Sequence, residues 1–190
     1  IGRYTKKSND LHLTLGESDA DYFIFVHDDV EFLRSGWGNE IVRLFNEHED
    51  YGIIGVAGAA EYYPMESKEH GAWWRYKKIF GQVLHRHDGK SWLTTFSPLL
   101  TKDLEQVVVV DGLFIAVAKD RITKNFDEEF TFDHYDTSFC ISNFVDGQTK
   151  IGVTTNIRIA HNSIGEMRPD WEVALTKLNN KFGKYLPLRV

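Results

Sequence analysis

The chain repeatedly sets a short, unbroken apolar run against a sharp polar stop, and that pattern leaves few folds open. Tyr22-Phe23-Ile24-Phe25-Val26 ends in His27-Asp28-Asp29. Tyr51 to Gly58 and Val107 to Val110 are runs of the same kind, and the latter meets Asp111-Gly112 before Leu113 to Ala118 continues extended. Such runs read as strands buried on both faces, as in a parallel sheet. Between them lie helical spacings. Ile41, Leu44 and Phe45 mark one amphipathic helix over Glu40 to Glu49. Tyr135 to Phe144 reads as another, with Phe139, Ile141 and Phe144 inward and Gly147 as its stop. Lys150 to Val153 and Ile157 to Ala160 read as short strands, and Trp171 to Phe182 as a C-terminal helix. Strands alternating with helices predict an α/β sandwich, and 190 residues make one domain over 1–190.

Several function classes drop out. The net charge is -6, with 22 Lys+Arg against 28 Asp+Glu and no basic tract, so no nucleic-acid partner is expected. Cys140 is the single cysteine, which excludes an internal disulfide. The longest apolar run, Val107 to Ala118, is interrupted by Asp111 and Gly112 and falls well short of a membrane span of about 20 residues. No secretory leader opens the sequence. A cytoplasmic protein is expected, with a membrane-peripheral one as the alternative. Walker, G-x-G-x-x-G and nucleophile-elbow patterns do not occur.

The stretch from Ala59 to Asp103 has no clear period, apart from hairpin character near Ile79 to Leu84 and Trp92 to Phe96. Long segments of this kind are usually lids or binding loops. It holds His70, His85, His87, Tyr62, Tyr63 and the pair Trp73-Trp74, with His48 just upstream. The tryptophans suit stacking on a sugar, or equally a small satellite core. His85-Arg86-His87-Asp88 resembles the start of the His-x-His-x-Asp-His zinc motif of metallo-β-lactamase-like hydrolases, but the spacing fails at Asp88.

Four further clusters are candidates for chemistry. His27-Asp28-Asp29 sits at a strand's carboxyl end, where α/β sheets bind ligands. Its carboxylates suit Mg²⁺ or Mn²⁺, or one of them simply caps a turn. Asp111 interrupts an apolar strand, as a site residue or as an Asp satisfied at a bulge beside Gly112. Asp127, Glu128, Glu129 and Asp136 crowd the start of a helix, where capping explains one of them and a general base for a hydroxyl explains another. His161 closes the last strand, as a structural histidine or as a metal ligand near Asp29.

The order of these pieces resembles the family 2-like glycosyltransferases of the GT-A fold, over roughly residues 8 to 185. The resemblance implies a three-layer α/β sandwich with a mixed central sheet. It implies a divalent metal, Mn²⁺ or Mg²⁺, holding the diphosphate of a nucleotide-sugar donor, with UDP as the expected nucleotide. Asp29 then matches the second Asp of the family's Asp-x-Asp motif, and His27 stands where the first Asp would be. His161 matches a late-strand metal or diphosphate ligand, and Asp28 and Asp29 lie on the donor side. Asp111 and Gly112 match the border of the acceptor pocket, with Trp73 and Trp74 as further acceptor contacts. Asp136 matches the catalytic base, with Tyr135 in place of the usual Glu before it. A single displacement with inversion follows, from the donor onto a hydroxyl of a saccharide acceptor, as in bacterial polysaccharide biosynthesis. In this family a base-binding strand precedes the Asp-x-Asp strand, and here 21 residues precede Tyr22. The expectation is thus an N-terminally truncated domain. Two alternatives stay open: a non-catalytic saccharide-binding relative, and a zinc hydrolase using His85 and His87.

Overall fold

The computed structural model describes residues 15, 18–64, 72–96, 102–146, 149–164 and 169–190. Gly147 and His70 lie outside the described residues.

The first apolar run is β1, Tyr22–Val26. It departs from the expected strand buried on both faces: Phe23 and Phe25 are buried, while Tyr22, Ile24 and Val26 are half-buried. The cause is its position. It forms the edge of a sheet and pairs antiparallel with β10, Phe114–Ala118, so one face lacks full cover. β10 lies inside the sheet, between β1 and the next strand, and is buried at all five positions. After β1 come β2, Val30–Phe32, and α1, Trp37–Glu47. Ile41, Leu44 and Phe45 form the buried stripe of α1, as the period demands, and Phe45 stacks on Tyr22 of β1 at 5.1 Å.

Two runs that read as single strands each serve two sheets. Tyr51 to Gly58 divides at Val56 into β3, Tyr51–Gly55, and β4, Ala57–Ala59, followed by β5, Glu61–Tyr62. Val107 to Val110 divides at Val108 into β8, Glu105–Val107, and β9, Val109–Val110. β3 and β8 join the first sheet, ordered β1-β10-β3-β11-β8, with β11 at Lys150–Val153. β4 and β9 join the second, ordered β2-β12-β6-β4-β9, with β6 at Ile79–His87 and β12 at Ile159–His161. The Val108 N–H donates to the Ala59 carbonyl at 2.8 Å, so the crossings are tied together. Small residues allow this approach: a Cβ on Gly58 would lie 2.2 Å from the Val109 carbonyl oxygen.

Both sheets are mixed. β3 and β11 run parallel, as do β12 and β6, and the other pairs are antiparallel. The expected mixed α/β fold is present. β6 turns at Asp88-Gly89 into β7, Lys90–Thr95, and both turn residues have positive φ. This Asp-Gly turn, with φ 49° and 71°, is the tight two-residue hairpin type. α2, Tyr135–Val145, packs on β9 and β11. α3, Asp170–Phe182, buries Trp171, Leu175, Leu178 and Phe182. β13, Leu188–Arg189, closes a ribbon with β5. Among the described residues no helix is long and apolar enough to cross a membrane.

Candidate functional site

Chain geometry at the ends of β1, β10 and β12 gathers most of the residues singled out in the sequence. His27 leaves β1 with its N–H on the Leu113 carbonyl, 3.1 Å away. β2 then pairs with β12, placing Val30 opposite His161. The Asp29 carbonyl accepts both the backbone N–H and the side-chain amide of Asn162, at 3.0 and 2.9 Å. This double clamp fixes Asp29 against the end of β12.

The side chains converge accordingly. His27, Asp29 and His161 each offer one ligand atom, and these atoms all lie within 4.8 Å of one another. Asp29 Oδ1 is 3.3 Å from His161 Nε2, yet it is buried and makes no hydrogen bond among the described residues. Such an orphaned carboxylate oxygen is costly to bury unless something cationic meets it. Ser163 Oγ lies 3.2 Å from His161 Nε2, and the His27 and His161 rings are 5.6 Å apart. Asp28 is exposed and close enough to act on the His27 charge.

Tyr135 sets the state of His27. Its hydroxyl donates to the Gly112 carbonyl at 2.9 Å and lies 3.2 Å from His27 Nε2. A phenol has one proton, so His27 Nε2 is the donor in the second contact. Burial first, and then neighbouring His161, lower the His27 pKa and keep the ring neutral. A neutral imidazole protonated at Nε2 presents its Nδ1 lone pair, the form a metal requires. The site thus fits a divalent cation through one carboxylate and two imidazoles, a donor set more suited to Mn²⁺ than to Mg²⁺.

Gly112 belongs to the same construction. A Cβ at that position would sit 2.2 Å from the Tyr135 hydroxyl, so no other residue leaves the bridge intact. The Gly112 N–H donates to Asp136 Oδ2 at 2.8 Å, and the Thr137 N–H to Asp136 Oδ1 at 2.6 Å. Asp136 is half-buried at the start of α2. Burial, then the charge of nearby Asp111, push its pKa up to about 6. Asp111 is likewise pushed up by burial, while its Oδ1 accepts the Leu113 N–H at 2.9 Å. Asp111, Gly112, Tyr135 and Asp136 therefore adjoin the His27 cluster.

The two tryptophans divide. Trp73 is 4% exposed, packed against Phe96 at 5.4 Å, and its indole N–H hydrogen-bonds Asp111. It has no open ring face for a sugar. Trp74, set edge-on to Trp73, keeps 40% exposure. Asp127 and Glu129 bond Lys181 of α3 at 2.6 and 2.9 Å, which makes them tethers for that helix. His85 and His87 enter no three-ligand cluster among the described residues. His85 instead lies beside His161 in the parallel pairing of β6 and β12.

Sequence reasoning missed Tyr135 as a bridge, Asn162 as a clamp and His85 as a neighbour of the cluster. Tyr135 and Asn162 stood next to residues already chosen. Asp88-Gly89, a strong hairpin signal, would have extended β6 through His85.

A family model described as "Glycosyltransferase like family" matches residues 7–173. No curated protein matches the sequence. Among solved structures the chain is similar to A197 from STIV, with 12% identity, 85% of this chain and 76% of that chain covered, and a TM-score of 0.39.

Proposed function

We propose that this chain, which belongs to the glycosyltransferase-like family, moves a sugar from a UDP-linked donor to a hydroxyl of a saccharide acceptor. The observation that carries the reading is a single bridge. The Tyr135 hydroxyl joins His27, next to Asp29 and His161, to Gly112, whose N–H holds Asp136. A cation-binding cluster and a carboxylate of raised pKa thereby share one site.

In this reading His27, Asp29 and His161 would hold Mn²⁺ or Mg²⁺, and Asp28 and Asp29 would face the donor. When bound, the metal supplies positive charge to the diphosphate. Asp136 accepts the proton of the acceptor hydroxyl as that oxygen forms its bond to the anomeric carbon. The bond from that carbon to the diphosphate oxygen breaks, and its electron pair leaves with the nucleoside diphosphate. One displacement inverts the anomeric centre. A carboxylate pushed up to about 6 is a stronger base than an ordinary one and is still ionised at neutral pH. Asp111 and Gly112 border the acceptor, and Trp74 offers it an open face.

Calorimetric titration of UDP, with and without Mn²⁺, tests the donor half. Binding that requires Mn²⁺ and disappears in Asp29→Ala is the expected result. Equal binding without metal, or in the variant, would overturn the metal role. Transfer is then tested by inhibitor-free turnover of UDP-sugars with glycan acceptors. Saccharide binding with no nucleotide binding would identify a non-catalytic relative instead.

A further inference from the structure

We propose that Trp92 is a stacking platform for the acceptor saccharide, positioned beside the candidate metal cluster by His85.

The placement comes from three adjacent strands. β12 and β6 set His161 opposite His85, and β6 and β7 set His85 opposite Trp92. Paired residues across a sheet share a face, so the three rings form a row. The His161 and His85 rings are 5.9 Å apart, and His85 stacks on Trp92 at 5.5 Å with 20° between the planes. A hydrogen bond to the Ser163 backbone holds His85 from the side. Trp92 is therefore two ring contacts from a proposed metal ligand.

Its surroundings are those of a sugar subsite. Trp92 keeps 39% exposure although it is among the largest apolar side chains of the protein. Its strand is exposed along nearly its whole length, so the indole covers no core. Along β7 the alternation of a strand puts Lys90 and Thr94 on the same face as Trp92. An ammonium and a hydroxyl then flank a flat apolar ring. A pyranose needs this combination: an apolar ring face to lie on and polar groups for its hydroxyls. His85 gives the platform rigidity, because it occupies one face of the indole and leaves the other side to the ligand.

The inference deepens the proposed function and rests on it for the word acceptor. The test separates the two. Saturation-transfer NMR would be recorded on the full chain with glucose, galactose, mannose, N-acetylglucosamine and their β-linked disaccharides at millimolar concentration. UDP titration with Mn²⁺ runs in parallel. Transfer to the C–H protons of at least one saccharide is expected in the wild type. Trp92→Ala should weaken that binding about tenfold, Trp92→Phe should retain most of it, and both should bind UDP as the wild type does. Unchanged saccharide binding in Trp92→Ala, or no binding by the wild type across the panel, overturns the platform. A wild type that binds saccharide through Trp92 but no UDP sinks the transferase reading and leaves the platform standing.

Discussion

Two places in the described residues bring three histidine and carboxylate groups within ligand distance, and they differ in what already sits between them. At the first, His27, Asp29 and His161 converge with Asp29 Oδ1 unpaired. At the second, Glu47, His48 and Asp103 converge at the end of α1. There Arg43 is the resident cation. Its guanidinium bonds Asp103 at 3.0 Å, Glu40 at 2.7 Å, and Glu47. Asn156 adds bonds to Glu40 and Asp103 at 2.9 and 3.0 Å. Proximity of ligand types is thus common to both, as is one buried ligand atom without a hydrogen bond, Asp29 Oδ1 in the first and His48 Nε2 in the second, but only in the first is that atom a carboxylate oxygen. A built-in arginine turns an acidic cluster into a structural fastening.

The sharpest way to break this contrast is to remove one carboxylate from each place. Asp29→Ala should lower Mn²⁺-dependent UDP affinity by about 100-fold or more, whereas Asp103→Ala should leave it unchanged. Calorimetry on both variants decides, and equal losses would dissolve the distinction.

Next in size is Asp136→Asn, which removes the proton acceptor together with one of the two backbone hydrogen bonds, since an amide has a single acceptor oxygen. Turnover should fall by roughly 100-fold or more, while UDP and Mn²⁺ still bind. In the wild type, kcat/KM should rise with pH through about 6, because the base works only when ionised. A profile flat across that range would exclude Asp136 as the base.

A histidine outside both clusters shows what burial does on its own. His134 packs on Trp171 at 4.6 Å, and burial pulls its pKa down to about 4. The unfolded chain takes up this proton near pH 6.5 and the folded chain does not until about 4. Stability should therefore fall as pH drops through that window, by about 2–3 kcal/mol. His134 has φ 60°, which asparagine tolerates, so His134→Asn should fold and lose that slope in pH-dependent thermal melts.

The smallest effect sharpens the comparison from the other side. Arg43→Ala should cost about 1–2 kcal/mol. It should also leave Glu40, Glu47, His48 and Asp103 able to take up a cation. Mn²⁺ titration should then count one more weak site than in the wild type. No added site would mean that geometry, and not the arginine, separates the two clusters.

How much of this was legible in the sequence follows from the range of the contacts involved. α1 and α2 were read to within a few residues, and in α1 Ile41, Leu44 and Phe45 carry the period locally. The polar stops at His27 to Asp29, Asp111 and His161 marked strand ends, and strand ends are where the side chains meet. What escaped depends on partners. Nothing in Tyr51 to Gly58 says that the chain changes sheets at Val56, since only its pairing with β10 on one side and β6 on the other divides it. Trp73 and Trp74 are identical in type and adjacent in sequence, yet one is buried against Phe96 and the other open. β1 read as doubly buried because its apolar run is continuous, but at the sheet edge Tyr22, Ile24 and Val26 are only partly covered.

The clamp between Asp29 and Asn162 joins positions 133 apart in the chain. Closing so long a loop costs entropy that local structure cannot offset. The cluster therefore requires β12 to be docked on β2. A chain that ends before His161 lacks one of its three ligand groups. Cation uptake there would thus report a contact made across most of the chain.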